Sequence, residues 1–327
     1  MTTNGRPLGG KVALVAGATR GAGRGIAIEL GAAGATVVCV GRSSRAVARP
    51  PRAEGASPFA LAGRPETIEE TAELVTAAGG VGVARRCDCS APDEVADLCR
   101  AIGAEHGGLD LLVNDVWGGE ELTEFGVPFW ELDLAKGRAL LERAVLTHAI
   151  TARHAVPLLF GRGGGLVVEI TDGASLYYRT TLFYDLAKIA VIRLAFAMAE
   201  ELRPKGIAAI AVTPGFLRSE AMLEHLGVGE GDWRRAIEAD PHFAFSETPR
   251  FVGRGVAALA ADPGVMSYTG TLTSSWELAR RYGHADVDGA RPDWGAHCVG
   301  EEFAAEQARS HARFVAGCTP RVEPRGG

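Results

Sequence analysis

Cysteine is scarce in this chain and wrongly spaced for a metal. Six cysteines (Cys39, Cys87, Cys89, Cys99, Cys298, Cys318) occur in 327 residues. Cys87-Asp-Cys89 leaves one residue between thiols, too tight for the usual zinc knuckle. They read as reduced, buried thiols. His148, His154, His225, His242 and His297 form no His-x-x-x-His or His-Glu-x-x-His pair on one helix, so they are expected to be structural or solvent-facing and no metal is expected. No run of 18 apolar residues occurs, which excludes a membrane-spanning helix. A net charge of −6 leaves no basic footprint for nucleic acid. The opening Met1-Thr-Thr-Asn-Gly-Arg-Pro7 lacks an apolar stretch and reads as a short disordered lead rather than a signal peptide. A cytoplasmic protein is the expectation. Internal repeats are absent, and Gly163-Gly-Gly165 is the one low-complexity turn.

What is present is apolar residue, at 47%, enough to bury a large core. Short β-rich runs alternate with helical stretches, the signature of a parallel sheet covered by helices on both faces. The expected strands are Lys11–Ala16, Thr36–Val40, Gly82–Cys87, Leu109–Val113, Leu166–Ile170, Ile207–Val212 and Gly270–Ser275. The expected helices are Gly21–Gly34, Glu66–Ala78, Pro92–His106, Lys136–Leu159 and Tyr184–Arg203. This is one doubly wound α/β, Rossmann-like domain over residues 1–275. An arginine-rich loop over Ser43–Pro65 carries Arg45, Arg49, Arg52 and Arg64. The excursion Phe216–Pro249, with Trp233, Phe243 and Phe245, has the length of a substrate lid. Residues 276–327 form a C-terminal extension.

Two local patterns carry chemistry. Ala16-Gly17-Ala-Thr-Arg-Gly21-Ala-Gly23 closes the first strand and opens a helix, where glycine lets backbone approach a pyrophosphate and free N–H groups face it. Tyr184 and Lys188 stand four residues apart in Phe-Tyr-Asp-Leu-Ala-Lys, hence on one helix face. An ammonium beside a phenol stabilises phenolate and makes the tyrosine a general acid/base.

Together these motifs resemble the short-chain dehydrogenase/reductase family, from about Leu8 to about Ser275. In the extension, Leu278-Ala-Arg-Arg-Tyr-Gly-x-x-Asp-Val-Asp-Gly289 looks like a branch of it found in animals. The resemblance implies that Tyr184 is the acid/base and that Lys188 tunes it and anchors the nicotinamide ribose. It implies cofactor contacts from Gly17, Thr19, Arg20, Gly21, Ala22 and Gly23, and from Arg42, Ser43, Asp88, Cys89 and Asn114. Pro214, Gly215, Phe216, Leu217 and Ser219 complete the set, in a variant of the family's Pro-Gly-x-x-x-Thr. Val40-Gly41-Arg42-Ser43 offers no acid for a ribose 2′-hydroxyl, and Arg20 adds a cation, so NADP(H) is the expected cofactor. Asp88 matches the residue that meets the adenine amino group.

The chain also departs from the family. The serine expected 12 or 13 residues before Tyr184 is replaced by Asp172 or Thr171, with Ser175 a further hydroxyl. The helix asparagine of the family's proton relay is absent, because Asn4 and Asn114 are the only asparagines. Val113-Asn114-Asp115-Val-Trp-Gly118 falls where the family has Asn-Asn-Ala-Gly; Asn114 matches, Asp115 does not, and Trp117 adds bulk beside the nicotinamide or the pocket mouth. Three readings of Asp172 stay open. It is a protonated donor to the substrate oxygen, an ionised anchor for a cationic or hydroxylated substrate, or a bystander with Thr171 in the serine's role. The expected activity is NADP(H)-dependent hydride transfer at a carbonyl or alcohol carbon, with Asp172 as the altered third catalytic member. Alternatives are a non-redox dehydratase or epimerase and a catalytically decayed NADP-binding regulator. Trp117, Tyr177, Tyr178, Phe183 and Phe216 suggest an apolar or ring-bearing substrate. The apolar circumference of Tyr184–Arg203 and the family's habits imply a homodimer or homotetramer.

Overall fold

The structure, a computed structural model, describes residues 5–47 and 51–318. Arg49 and the lead 1–4 lie outside the described residues, as do residues 319–327. Seven strands form: β1 Val12–Ala16, β2 Thr36–Gly41, β3 Val81–Arg86, β4 Leu111–Asn114, β5 Gly165–Ile170, β6 Ile207–Thr213 and β7 Leu272–Ser274. They make one sheet in the order β3-β2-β1-β4-β5-β6-β7, and every pairing is parallel. β1 and β6 are buried at every position, as a sheet covered on both faces requires. β7 is shorter than expected for two local reasons. Gly270 turns the chain at φ +83°, and Ser274, the last ladder residue, is also the N-cap of α9 and forms a capping box with Glu277, so Ser275 is already helical.

The helices are α1 Gly21–Ala32, α2 Ile68–Ala77, α3 Pro92–His106, α4 Leu134–Leu141, α5 Thr147–Ala155 and α6 Leu182–Leu202, followed by α7 Glu220–His225, α8 Pro249–Ala261, α9 Ser275–Tyr282, α10 Trp294–Cys298 and α11 Glu302–Cys318. Two core layers result. On one sheet face Ile26 and Leu30 of α1 meet Val252 and Val256 of α8 and Leu278 of α9. On the other, Val95 and Ile102 of α3 pack with Ala152 of α5 and Ala199 and Leu202 of α6. The single helix expected over Lys136–Leu159 is interrupted. α4 passes through a π turn, Glu142–Leu146, into α5. The helix then tightens to a 3₁₀ turn at Val156–Leu158, where Pro157 removes a donor. No helix among the described residues is long and apolar enough to cross a membrane.

All six thiols are free, but Cys298 is half-buried and Cys318 exposed. The expectation of buried thiols fails there because neither α10, which carries Cys298, nor α11, which carries Cys318, buries a residue fully.

The lid and the extension share one buried polar knot. Leu217 pairs with Glu247 across the lid's base. Arg218, fully buried, donates to the Ser246 carbonyl at 2.9 Å and to Glu230 at 3.1 Å. Its guanidinium stands 3.5 Å from Asp288 and 3.9 Å from Asp286. Asp286 also accepts from the Thr248 amide and hydroxyl at the start of α8. A buried cation needs such partners, because desolvation costs several kcal/mol. Asp286→Ala should therefore destabilise the chain by about 3 kcal/mol, the low end of the range for breaking a buried pair since Arg218 keeps Glu230 and Asp288. Urea unfolding monitored by circular dichroism checks this.

Candidate active site

A cavity of about 1260 Å³ opens where the strands end at their carboxyl termini. Parallel strands direct all their carboxyl ends to one edge, so residues far apart in sequence meet there. Gly17, Thr19, Arg20, Gly21 and Ala22 line it from the first turn, and Arg42, Ser43, Asp88 and Cys89 from the ends of β2 and β3. Asp172, Tyr184 and Lys188 line it after β5, and Pro214, Gly215, Phe216, Leu217 and Ser219 after β6.

Gly23 and Asn114 do not line it. The Gly23 amide donates to the Asp115 carboxylate. Asn114 is fully buried, and its amide donates to Glu169 at 2.7 Å. Glu169 in turn meets His148 Nδ1 at 2.6 Å. The expected cofactor contact from Asn114 is therefore corrected: its side chain holds β4 to β5 beneath the cavity wall. His148 also lines the cavity, with Nε2 3.0 Å from the Val116 carbonyl.

The first turn is built for an anion. Gly17 has φ +90°, and a Cβ there would run into the Asp115 carbonyl, so only glycine fits. At the start of α1 the Gly21 amide donates to Glu220 Oε2 at 2.9 Å. The protein thus places one of its own carboxylates where α1 presents its free donors. Arg20 is largely buried, and its Nε has no hydrogen-bond partner, with Glu66 at 3.7 Å. A Cβ on Gly41 would collide with Thr19, so the Thr19–Arg20 segment lies against the end of β2. Arg42 is half-exposed, 3.9 Å from Asp88. A nicotinamide dinucleotide fits this set of donors. Burial raises the Asp115 carboxyl to about 7, while the Gly23 amide and nearby Lys188 oppose the rise.

At the other end of the cavity Tyr184 Oη donates to Asp172 Oδ2 at 2.7 Å. Burial first, then the Asp172 charge and this hydrogen bond, push the phenol well above its ordinary pKa. Lys188 is half-buried, with Nζ 3.8 Å from the Trp117 ring centre, and Trp117 meets Tyr184 edge-on. Desolvation lowers the Lys188 pKa, and Asp172, Asp115 and Glu120 counteract it. Thr171 is buried and donates to the Lys188 carbonyl at 2.9 Å, which ties the end of β5 to the body of α6. The bystander reading of Asp172 is thereby corrected, since Thr171 is spent on backbone while Asp172 faces the phenol. Ala144, in the π turn, lines the cavity, so no amide stands in for the missing helix asparagine.

Sequence reasoning missed Arg179. Its buried guanidinium donates to the carbonyls of Asp172 (2.7 Å), Ser175 (2.9 Å) and Tyr177 (2.9 Å) and stands 3.4 Å from Asp185. This wraps the loop that presents Asp172. The adjoining Thr180 has φ 63°, a strained value for a β-branched residue that the packed loop must hold. The chain gave no signal for Arg179, since an arginine in a loop carries no spacing. Also missed were Trp294, Cys298, Phe303 and Gln307, by which the extension completes the cavity wall.

With seven parallel strands, a glycine turn and a Tyr-x-x-x-Lys helix at one cavity, comparison with known proteins is decisive on class. The chain belongs to the short-chain dehydrogenase family, whose model matches residues 44–226. It is 32% identical over 293 residues to human dehydrogenase/reductase SDR family member 1, covering 86% of this chain and 85% of that protein. It is 27% identical over 216 residues to the 7α-hydroxysteroid dehydrogenase of Escherichia coli K12, covering 66% and 74%. Among solved structures, a short-chain dehydrogenase from Mycobacterium thermoresistibile superposes with a TM-score of 0.69 at 24% identity, covering 88% of this chain and 92% of that one. A 7α-hydroxysteroid dehydrogenase solved with NADH and 7-oxo glycochenodeoxycholic acid gives 0.64 at 21% identity, covering 90% and 100%. The relatives are oxidoreductases.

The Tyr184–Asp172 contact generates a measurable consequence. Asp172→Asn removes one of the charges that raise the phenol, so Tyr184 should titrate at lower pH than in the parent, though burial keeps it above a free tyrosine. Tyrosinate absorbance through an alkaline titration, with Tyr184→Phe as the blank, reads the shift. An unchanged or raised midpoint contradicts the coupling.

Proposed function

We propose that this chain is an NADP(H)-dependent oxidoreductase that reduces the carbonyl of a small, apolar, ring-bearing molecule. The observation that carries the reading is the Tyr184–Asp172 hydrogen bond of 2.7 Å, with Lys188 one helical turn on and the glycine turn in the same cavity. When bound, the cofactor supplies the hydride. Everything else falls to the chain. Tyr184, held protonated by its surroundings, gives its proton to the carbonyl oxygen as negative charge develops there. With ketone and cofactor bound, Asp172 takes up a proton, and as a carboxylic acid, in place of the carboxylate that accepts the Tyr184 hydroxyl in the free chain, it donates a second hydrogen bond to that oxygen and then restores the tyrosine's proton. Lys188 would hold the nicotinamide ribose, Arg20 and Arg42 the 2′-phosphate, Asp88 the adenine, and Ser219 the carboxamide. Trp117, Tyr177, Phe216, Trp294 and Phe303 exclude water from the reacting carbon. The hydroxysteroid dehydrogenases among the relatives favour a fused-ring substrate. The chain works as a homodimer or homotetramer in the cytoplasm, joined through the outer face of α6, where Leu186 and Phe196 remain exposed.

An ionised Asp172 that anchors a cationic substrate is the second reading, supported by the unusual carboxylate in the serine's place. A non-redox relative or a decayed regulator remains the alternative if no net NADPH is consumed.

NADPH should bind about 10- to 100-fold tighter than NADH, because a charge-assisted phosphate contact contributes about 1.5–3 kcal/mol. Fluorescence titration of both cofactors tests this, and equal or tighter NADH binding contradicts it. Tyr184→Phe should abolish NADPH oxidation with a panel of cyclic ketones while leaving NADPH affinity intact. Asp172→Ala should lower turnover about 100- to 1000-fold, the usual loss for one hydrogen bond to a developing oxyanion. If Asp172→Asn retains much of the activity, the protonated reading stands. If Asn and Ala both fail through a raised KM, the ionised reading replaces it.

A further inference from the structure

The lid and the extension bring together three metal-ligating side chains that lie 55 and 59 positions apart in the chain. His242 Nδ1 stands 3.0 Å from His297 Nε2. A Glu301 carboxylate oxygen joins them, with all three donor atoms within 4.8 Å of one another. His242 belongs to the 3₁₀ turn Pro241–Phe245 in the lid, His297 to α10, and Glu301 to the link before α11. All three residues are half-buried.

Both rings are held in place. Phe245 stacks on His297 at 3.7 Å between centroids. Trp294 and Phe303 sit edge-on to His242 at 6.4 and 5.6 Å. The Asp240 carboxylate accepts the His242 amide at 3.0 Å, which fixes the backbone that carries the ring. Glu301 forms no ion pair with a lysine or arginine among the described residues, so its charge has no evident structural use.

The two ring nitrogens share a hydrogen bond, so one carries a proton that a bound cation would displace, and with Glu301 they gather three donor atoms within 4.8 Å. Two nitrogens on a tetrahedral zinc at about 2.0–2.1 Å stand about 3.3 Å apart. The observed 3.0 Å therefore needs an opening of a few tenths of an ångström. Rotation of the Glu301 side chain brings its oxygen into the third position. Imidazole and carboxylate donors suit a borderline first-row cation better than magnesium or calcium.

We propose that His242, His297 and Glu301 bind one divalent first-row transition cation, of which Zn²⁺ is the representative, with water as the fourth ligand. The cation ties the lid to the extension at the outer wall of the cavity. His242 lines that cavity, as do Trp294, Cys298 and Phe303 around it, so the clamp fixes how far the mouth opens. Its role is structural, and it touches no reacting atom.

The test uses the full chain, untagged and stripped with a chelator. Calorimetric titration with Zn²⁺ should show one equivalent bound. His297→Gln and Glu301→Gln, chosen because neither residue lines the cavity, should each weaken binding by at least about 10-fold. Zinc should also protect the 298–302 link from limited proteolysis in the parent and lose that effect in Glu301→Gln, a half-exposed position that leaves the fold intact by circular dichroism. Absence of a stoichiometric site at micromolar Zn²⁺ overturns the proposal. So does equal affinity in both variants, which would move the metal to another donor set such as Cys87 and Cys89.

Discussion

The parallel register of the sheet is the constraint from which the site follows. Val40 pairs with β3 and lies beside Ala16. Ala16 lies beside Asn114, and Asn114 beside Glu169. Within one to three residues further along each strand the chain leaves the ladder, at Gly17, Arg42, Asp115 and Thr171–Asp172. The cavity is the gap these exits leave. The buried Glu169 bridges that row by holding Asn114 and His148 together. A carboxylate with no exposure needs such donors, and its loss would loosen β4, β5 and α5 at the point where Asp172 departs. The path of the chain from β5 to Asp172 thus rests on a polar triad of which only His148 reaches the cavity.

The second theme is that the extension is part of the site. Asp286 secures the lid's base through Arg218 and Thr248. Further along, Ser310 and His311 on α11 accept the amides of Tyr178 and Leu176. These two contacts brace the far side of the loop that Arg179 gathers from within. The loop bearing Asp172 is therefore fixed twice, once by a buried guanidinium and once by a helix from the end of the chain. Such double support explains how Thr180 persists in a left-handed conformation. It also gives the lid less freedom than its length suggests, since both of its ends are pinned in the core.

Much of this was legible in the sequence, and for identifiable reasons. Strands such as Val12–Ala16 and Ile207–Thr213 are continuous apolar runs bounded by turns, so their existence and direction followed from periodicity and from the helices between them. Tyr184, Lys188 and the glycine turn were readable because local spacing encodes them. Asp172 was found by counting back from Tyr184. Its partner was not, because whether a carboxylate faces a phenol or turns away depends on the Arg179 wrap, which is tertiary. Asn114 matched a motif but spends its side chain on Glu169, a residue 55 positions away. The π turn at Glu142–Leu146 leaves no mark in a pattern that reads as plain helix. His242 and His297 were dismissed because metal motifs are recognised on one helix, and this pair spans two segments.

The central claim is that hydride moves within this cavity while Tyr184 and Asp172 handle the proton. The most direct measurement is isotopic transfer from NADPH deuterated at the transferable nicotinamide carbon, in each of its two stereochemical forms, to a cyclic ketone. The account predicts that one form delivers deuterium to the carbinol carbon of the product, and that Tyr184→Phe delivers none although it still binds the cofactor. Product formed without deuterium from either form, or equal label transfer by Tyr184→Phe, would contradict it.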